Sequence, residues 1–122
     1  MHVTQILNAA RNLIARPDNW TPKGLARDKS GQACLLGSAR AVRFSAVGAL
    51  MHVTLDSSEG DYDNAWRALN DTLADRMCSS LGDNELDAQT KPDVWDFNEE
   101  NDHGSVVTLF DETIARLEKI AP

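Results

Sequence analysis

Long apolar runs are missing from this sequence. The longest uncharged apolar stretch, Ala46 to Met51, falls far short of the ~20 residues a membrane-crossing helix needs. Cysteine is scarce as well. Cys34 and Cys78 stand apart with no Cys-x-x-Cys pair, which excludes a disulfide scaffold and gives no zinc-type spacing. Both are expected as free thiols in a reducing cytosol. The first residues, Met1 to Gln5, lack the basic start and apolar core of a secretory signal, so a cytoplasmic location is expected. There is no P-loop and no Gly-x-Gly-x-x-Gly, and neither cysteine sits in a glycine-rich nucleophile elbow. No cofactor, metal or catalytic residue is therefore assigned.

Basic residues are few where acids are many. Residues 51–122 hold five Lys/Arg against seventeen acids, while residues 1–50 hold seven against two, within a net charge of −7. A duplex nucleic acid binder needs a clustered positive surface that displaces counterions, so direct nucleic acid binding is not expected. No membrane partner is expected either. The two halves can neutralise each other, or the acidic half can face a basic partner.

What is present describes one domain spanning residues 1–122, with ordinary apolar (42%) and charged (25%) fractions and no repeat or linker. Val3, Ile6, Leu7, Ala10, Leu13 and Ile14 mark an amphipathic helix, with Thr4 as its cap and Pro17 as its stop. Asp28-Lys29-Ser30-Gly31 has type I turn chemistry, which suggests a short hairpin pairing Leu25–Arg27 with Gln32–Cys34. Ser38 to His52 reads as a buried, alanine-rich helix, and its Gly48 suggests close approach by another helix. Asp61 can cap a third helix with a stripe of Tyr62, Trp66, Leu69, Leu73 and Met77. Residues 82–101 read as a long acidic loop. A last helix starts near His103, capped by Asp102 or Ser105. The expected fold is all-α, a single small domain of about four helices with a β-hairpin between the first and second.

Two stretches carry a resemblance. Trp20-Thr21-Pro22-Lys23-Gly24-Leu25-Ala26-Arg27-Asp28, with Gly31 and then Arg43 to Leu50, is similar to the first half of a family of small uncharacterised bacterial and phage proteins. Phe97-Asn98 and His103, followed by Val106 to Ile114, look like that family's closing segment. The resemblance implies a pattern without an activity, since the family is a domain of unknown function. Three positions depart from it: Ser45 stands where a cysteine is expected, Glu99 replaces an aspartate, and Asp102 replaces a threonine. A thiol-dependent activity is correspondingly not expected.

Two constellations follow. Arg27, Asp28, Arg43, Ser45, Asn98 and His103 combine guanidiniums, a carboxylate, an amide and an imidazole. Such a set can hold a small anionic or nucleotide-like ligand, or it can pin the hairpin and acidic segment to the helices. Asp93, Trp95, Asp96, Phe97, Glu99 and Glu100 form an aromatic pair ringed by acids, the composition of a protein-binding hot spot with a charged rim or of a loop anchored by its own aromatics. The alternating Asp96, Asn98, Glu100 and Asp102 lack the glycine and closing glutamate of a calcium loop. The leading expectation is a non-enzymatic module that docks on a basic protein partner. A phage-type inhibitor of a host or defence protein fits its size and acidity. The alternative is a small-ligand domain or enzyme using the Arg/Asn/His set. A homodimer through the alanine-rich helix is a third class, if that helix keeps a surplus apolar face.

Overall fold

The computed structural model describes residues 2–57, 59–81 and 93–120. Among these, five helices and one small antiparallel ladder follow in the order α1 (Val3–Leu13), a 3-10 turn (Pro17–Asn19), β1 (Ala26–Arg27), β2 (Arg43–Phe44), α2 (Ala46–Val53), α3 (Glu59–Leu81), α4 (Val94–Glu100) and α5 (His103–Ile120). The all-α reading with a minor β pair between the first two helices holds. The fifth helix is α4, inside the stretch expected as a loop.

The core forms where the apolar stripes meet. Helix α1 buries Ile6, Leu7 and Ala10, with Ile14 just beyond its end, and it packs on α2, α3 and α5. Val106, Leu109, Phe110 and Ile114 of α5 close the other side, and Ala65, Leu69 and Leu73 of α3 complete it. The α3 stripe is therefore rotated from the one read off the sequence. Ala65 and Leu69 point inward, while Tyr62 and Trp66 lie half-buried at its flank. The side chains of Met77 and Cys78 lie outside the described residues, as do residues 82–92. Thr72 and Thr113 are buried where α3 faces α5, and the Thr113 hydroxyl lies 2.8 Å from that of Thr72.

Local chemistry corrects three boundaries. His2, not Thr4, caps α1: its Nδ1 accepts from the Thr4 amide at 3.3 Å, and Gln5 Oε1 accepts from the His2 amide at 3.0 Å. Helix α2 begins at Ala46, not Ser38. Ser45 Oγ accepts from the Gly48 amide at 3.0 Å, and the residues just before it are drawn into the ladder. Glu59 opens α3 ahead of the expected cap Asp61. As expected, Asp102 starts α5, accepting from the Ser105 amide at 2.8 Å.

The expected turn at Asp28 forms, with the Gly31 amide donating to the Asp28 carbonyl at 3.0 Å and Gly31 at a φ of 90°. Its arms make an isolated bridge, Arg27 with Ala33. The ladder itself joins Ala26 to Phe44 and Arg27 to Arg43, so β1 sits between two partners. The following loop is tied back by His52, whose Nδ1 donates to the Leu36 carbonyl at 2.9 Å while its ring lies 4.7 Å from that of Phe44.

Gly48 exists for this ladder, not for a neighbouring helix. A Cβ there would sit 1.8 Å from the Leu25 carbonyl oxygen, so α2 runs against the backbone leading into β1. Ala46 to Leu50 are all buried, and α2 spends its apolar side inside the domain. Glycine to alanine in a helix normally stabilises by up to ~1 kcal/mol. Here Gly48→Ala should instead destabilise by about 3 kcal/mol, because backbone must move. Urea unfolding checks the sign.

Candidate functional site

Asn98 is the most heavily hydrogen-bonded polar side chain among the described residues. Only 2% of it is exposed. Its Oδ1 accepts from the Trp20 indole at 2.8 Å and from the Ala46 amide at 2.9 Å. Its Nδ2 donates to the Thr21 and Pro22 carbonyls at 3.1 and 3.0 Å. The amide thus joins α4, the segment after the 3-10 turn and the first free N–H of α2. Trp20 passes the link onward: its ring lies 5.8 Å from that of His103, whose Nε2 donates to the Ile14 carbonyl at 2.6 Å.

The other members of this set lie elsewhere. Arg27 donates from Nε to the Lys23 carbonyl at 3.1 Å and from Nη1 to the Gly31 carbonyl at 2.9 Å, which clamps the turn. Asp28 Oδ1 accepts from the Ser30 amide, the Ser30 hydroxyl and the Gln32 amide at 2.8–3.0 Å. The Ser30 hydroxyl, followed by the Gln32 amide, holds the Asp28 carboxyl below its ordinary value. Arg43 pairs with Arg27 through backbone alone. Ser45 is the α2 cap. The six residues do not meet around one cavity. The dent beside Ser45 and Asn98, walled by Pro22, Val47 and Trp95, is too tight for a water molecule, and Arg27, Arg43 and His103 do not line it. No buried side-chain nitrogen or oxygen among the described residues lacks a partner.

The acidic set is assembled differently. Asp93 caps α4, its Oδ1 accepting from the Trp95 amide at 2.6 Å, and Asn70 Oδ1 of α3 accepts from the Val94 amide at 2.8 Å. Val94 and Asn98 face inward. Helical spacing then turns Trp95, Asp96, Glu99 and Glu100 outward, and all four are exposed. Trp95 keeps 38% of its surface in solvent. Phe97 does not join them. It is half-buried with the Arg76 guanidinium 5.8 Å from its ring centre, so it anchors the helix and Trp95 alone of the aromatic pair is presented. Within the alternation of Asp96, Asn98, Glu100 and Asp102, Asn98 points into the core and Asp102 caps α5.

Beside Trp95 opens a groove of about 470 Å³ between α2, α3 and α4. Leu25, Val47 and Met51 form its apolar wall, Tyr62, Trp66 and Trp95 add rings, and Asp63 and Asp93 stand at its edge. It continues past Met51 and Tyr62 toward Leu36 and Leu55, the latter 52% exposed. Burial, then the charges of Asp63 and Asp93, push the Tyr62 phenol above its ordinary value. Sequence reasoning missed this groove because Tyr62 and Trp66 fit a core stripe. The available signal was acids at positions 61 and 63, flanking an aromatic at the start of that stripe.

A larger cleft of about 550 Å³ lies between the start of α1, α3 and α5. Its charges oppose one another, Arg67 and Arg116 against Asp71, and Arg116 pairs with Asp75. The charge halves meet through Arg11 and Asp111 at 2.9 Å, whereas Arg76–Glu112 and Arg116–Asp75 pair within the acidic half. No helix among the described residues is long and apolar enough to cross a membrane.

Two outcomes are expected. Asn98→Leu strands two donors and two carbonyls and should cost about 3 kcal/mol or more, read by urea unfolding. For Asp28, a lowered folded-state pKa means that its contribution is complete above the ordinary carboxylate value of ~3.9 and is lost as pH falls through the folded value. Asp28→Asn keeps the acceptor but not the charge. Its Tm should lie below that of the parent at neutral pH, with the gap closing under about pH 4.

Against known proteins, the model of a family of unknown function, DUF6197, matches residues 1–116. No curated protein and no solved structure gives a match.

Proposed function

The chain belongs to this family of unknown function, DUF6197, and from its geometry we propose a non-enzymatic docking module that binds a basic protein through α4 and the adjoining groove. One observation carries the reading: Trp95 is exposed, rimmed by Asp93, Asp96 and Glu99, and continuous with an apolar groove. An exposed tryptophan among carboxylates has the composition of an interface anchor with a polar rim. Its helix is fixed from below by Asn98, Val94 and the Asn70 bond, so little ordering remains to be done on binding. The acids repel nucleic acid phosphates and anionic lipid, and they attract lysine- or arginine-rich protein surfaces.

The small-ligand alternative has weaker support, since all of its residues but Arg43 are committed to turns, caps and the Asn98 network, and the six do not share a cavity. The finer readings belong to the same proposal. An inhibitor of a host or defence protein suits a chain of 122 residues with a net charge of −7. A cytoplasmic site of action suits the free thiol of Cys34.

The test is charge reversal at three exposed positions whose side chains make no hydrogen bond or ion pair with the described residues. A partner is first captured in fixed ratio from bacterial lysate and purified. Asp96→Lys, Glu99→Lys and Glu100→Lys together should weaken its binding at least ~tenfold, and Trp95→Ala about thirtyfold, with Tm nearly unchanged. Affinity unaltered by both variants contradicts the proposal.

A further inference from the structure

The groove behind Trp95 has a composition that an apolar partner alone would not satisfy. Three rings line it, from Tyr62, Trp66 and Trp95, and none of them contacts another aromatic ring. Among the described residues, no lysine or arginine lines it. Arg76, the cation that does sit over a ring, is on Phe97 elsewhere. Asp63 makes no hydrogen bond or ion pair with the described residues, and Asp93 uses only Oδ1, as the α4 cap. A purely apolar occupant would strip water from these carboxylates and return nothing. An anion would be repelled.

An arginine side chain meets every one of these features. Its methylene stem suits Leu25, Val47 and Met51, since long cationic side chains lay their stems on apolar surface. Its flat guanidinium stacks on aromatic faces, is weakly hydrated, and donates in a fork that carboxylates accept. Lysine, compact and strongly hydrated, matches the stem but not the stacking. Resting on the docking reading above, we propose that the groove of Tyr62, Trp66 and Trp95 is the specificity pocket for one arginine of the protein partner, with Asp63 and Asp93 receiving its charge. The raised Tyr62 phenol agrees with an acidic, partly dry setting.

The probe is the synthetic peptide acetyl-Ser-Leu-Arg-Leu-Arg-Ser-amide, titrated against the full-length ¹⁵N-labelled chain. Versions with citrulline or lysine at both arginine positions are compared. The arginine peptide should move the indole N–H signals of Trp66 and Trp95 and leave Trp20, which is bonded to Asn98, in place. Citrulline should weaken binding about tenfold and lysine about threefold, from loss of charge and of stacking respectively. Asp63→Asn, at an exposed position, should lose about as much as citrulline does while Tm holds. Equal binding of the arginine and citrulline peptides, or no shift at Trp66 at millimolar peptide, overturns the pocket. The docking reading would still stand in that case if Asp96, Glu99 and Glu100 reversal weakens the purified partner. If charge reversal has no effect, the docking reading itself fails.

Discussion

The side-chain amide of Asn98 holds together three parts of the chain that are distant in sequence. It fills both lone-pair directions of Oδ1 with the Trp20 indole and the Ala46 amide, and both N–H directions of Nδ2 with the Thr21 and Pro22 carbonyls. A buried amide used so completely is worth more as a constraint than as a sum of bonds, because any shift of one partner leaves a buried polar group unpaired. It fixes the entry to α2, and with it the approach of Gly48 to Leu25. It also fixes the rotation of α4, a seven-residue helix too short to be stable by itself.

That rotation generates the surface. With Val94 and Asn98 inside, the spacing of a helix leaves Trp95, Asp96, Glu99 and Glu100 nowhere to go but outward. The buried polar network and the exposed acidic face are therefore consequences of one another. The residues that looked most like a ligand site serve as the frame, and the acidic residues beside them are the part offered to solvent. Asp96, Glu99 and Glu100 form no ion pair among the described residues, while Arg27 is turned toward carbonyls and Arg11 toward Asp111 on α5. A tryptophan held at such an edge exposes area without the ordering cost that a loop would carry.

Much of this was legible in the residues. The α1 stripe and the Asp28–Gly31 turn follow from spacing and turn chemistry, and so does the start of α5 at His103. Other features required tertiary contacts that a linear pattern does not encode. The residues before α2 look helical by composition, but Ser45 as a cap and β1 as a partner pull Arg43–Phe44 into a ladder. Helix α4 was hidden because its placement depends on tertiary bonds, Asn70 to the Val94 amide across 24 residues and Asn98 to the Thr21 carbonyl across 77. Tyr62 and Trp66 share the period of the α3 core, yet a rotation of that helix by part of a turn moves them to the groove. Asn98 and Asp93 to Glu100 were legible as polar candidates. Which set faced inward was not.

The most direct test of the acidic face is a hydrogen-exchange footprint of the chain with and without its purified basic partner. The account predicts protection on α4, near Asp93 to Glu100, and on the groove residues around Met51 and Tyr62 to Trp66. The α1–α3–α5 cleft with Arg67 and Arg116 should be unchanged. Protection confined to that cleft, with α4 exchanging as in the free protein, would contradict it.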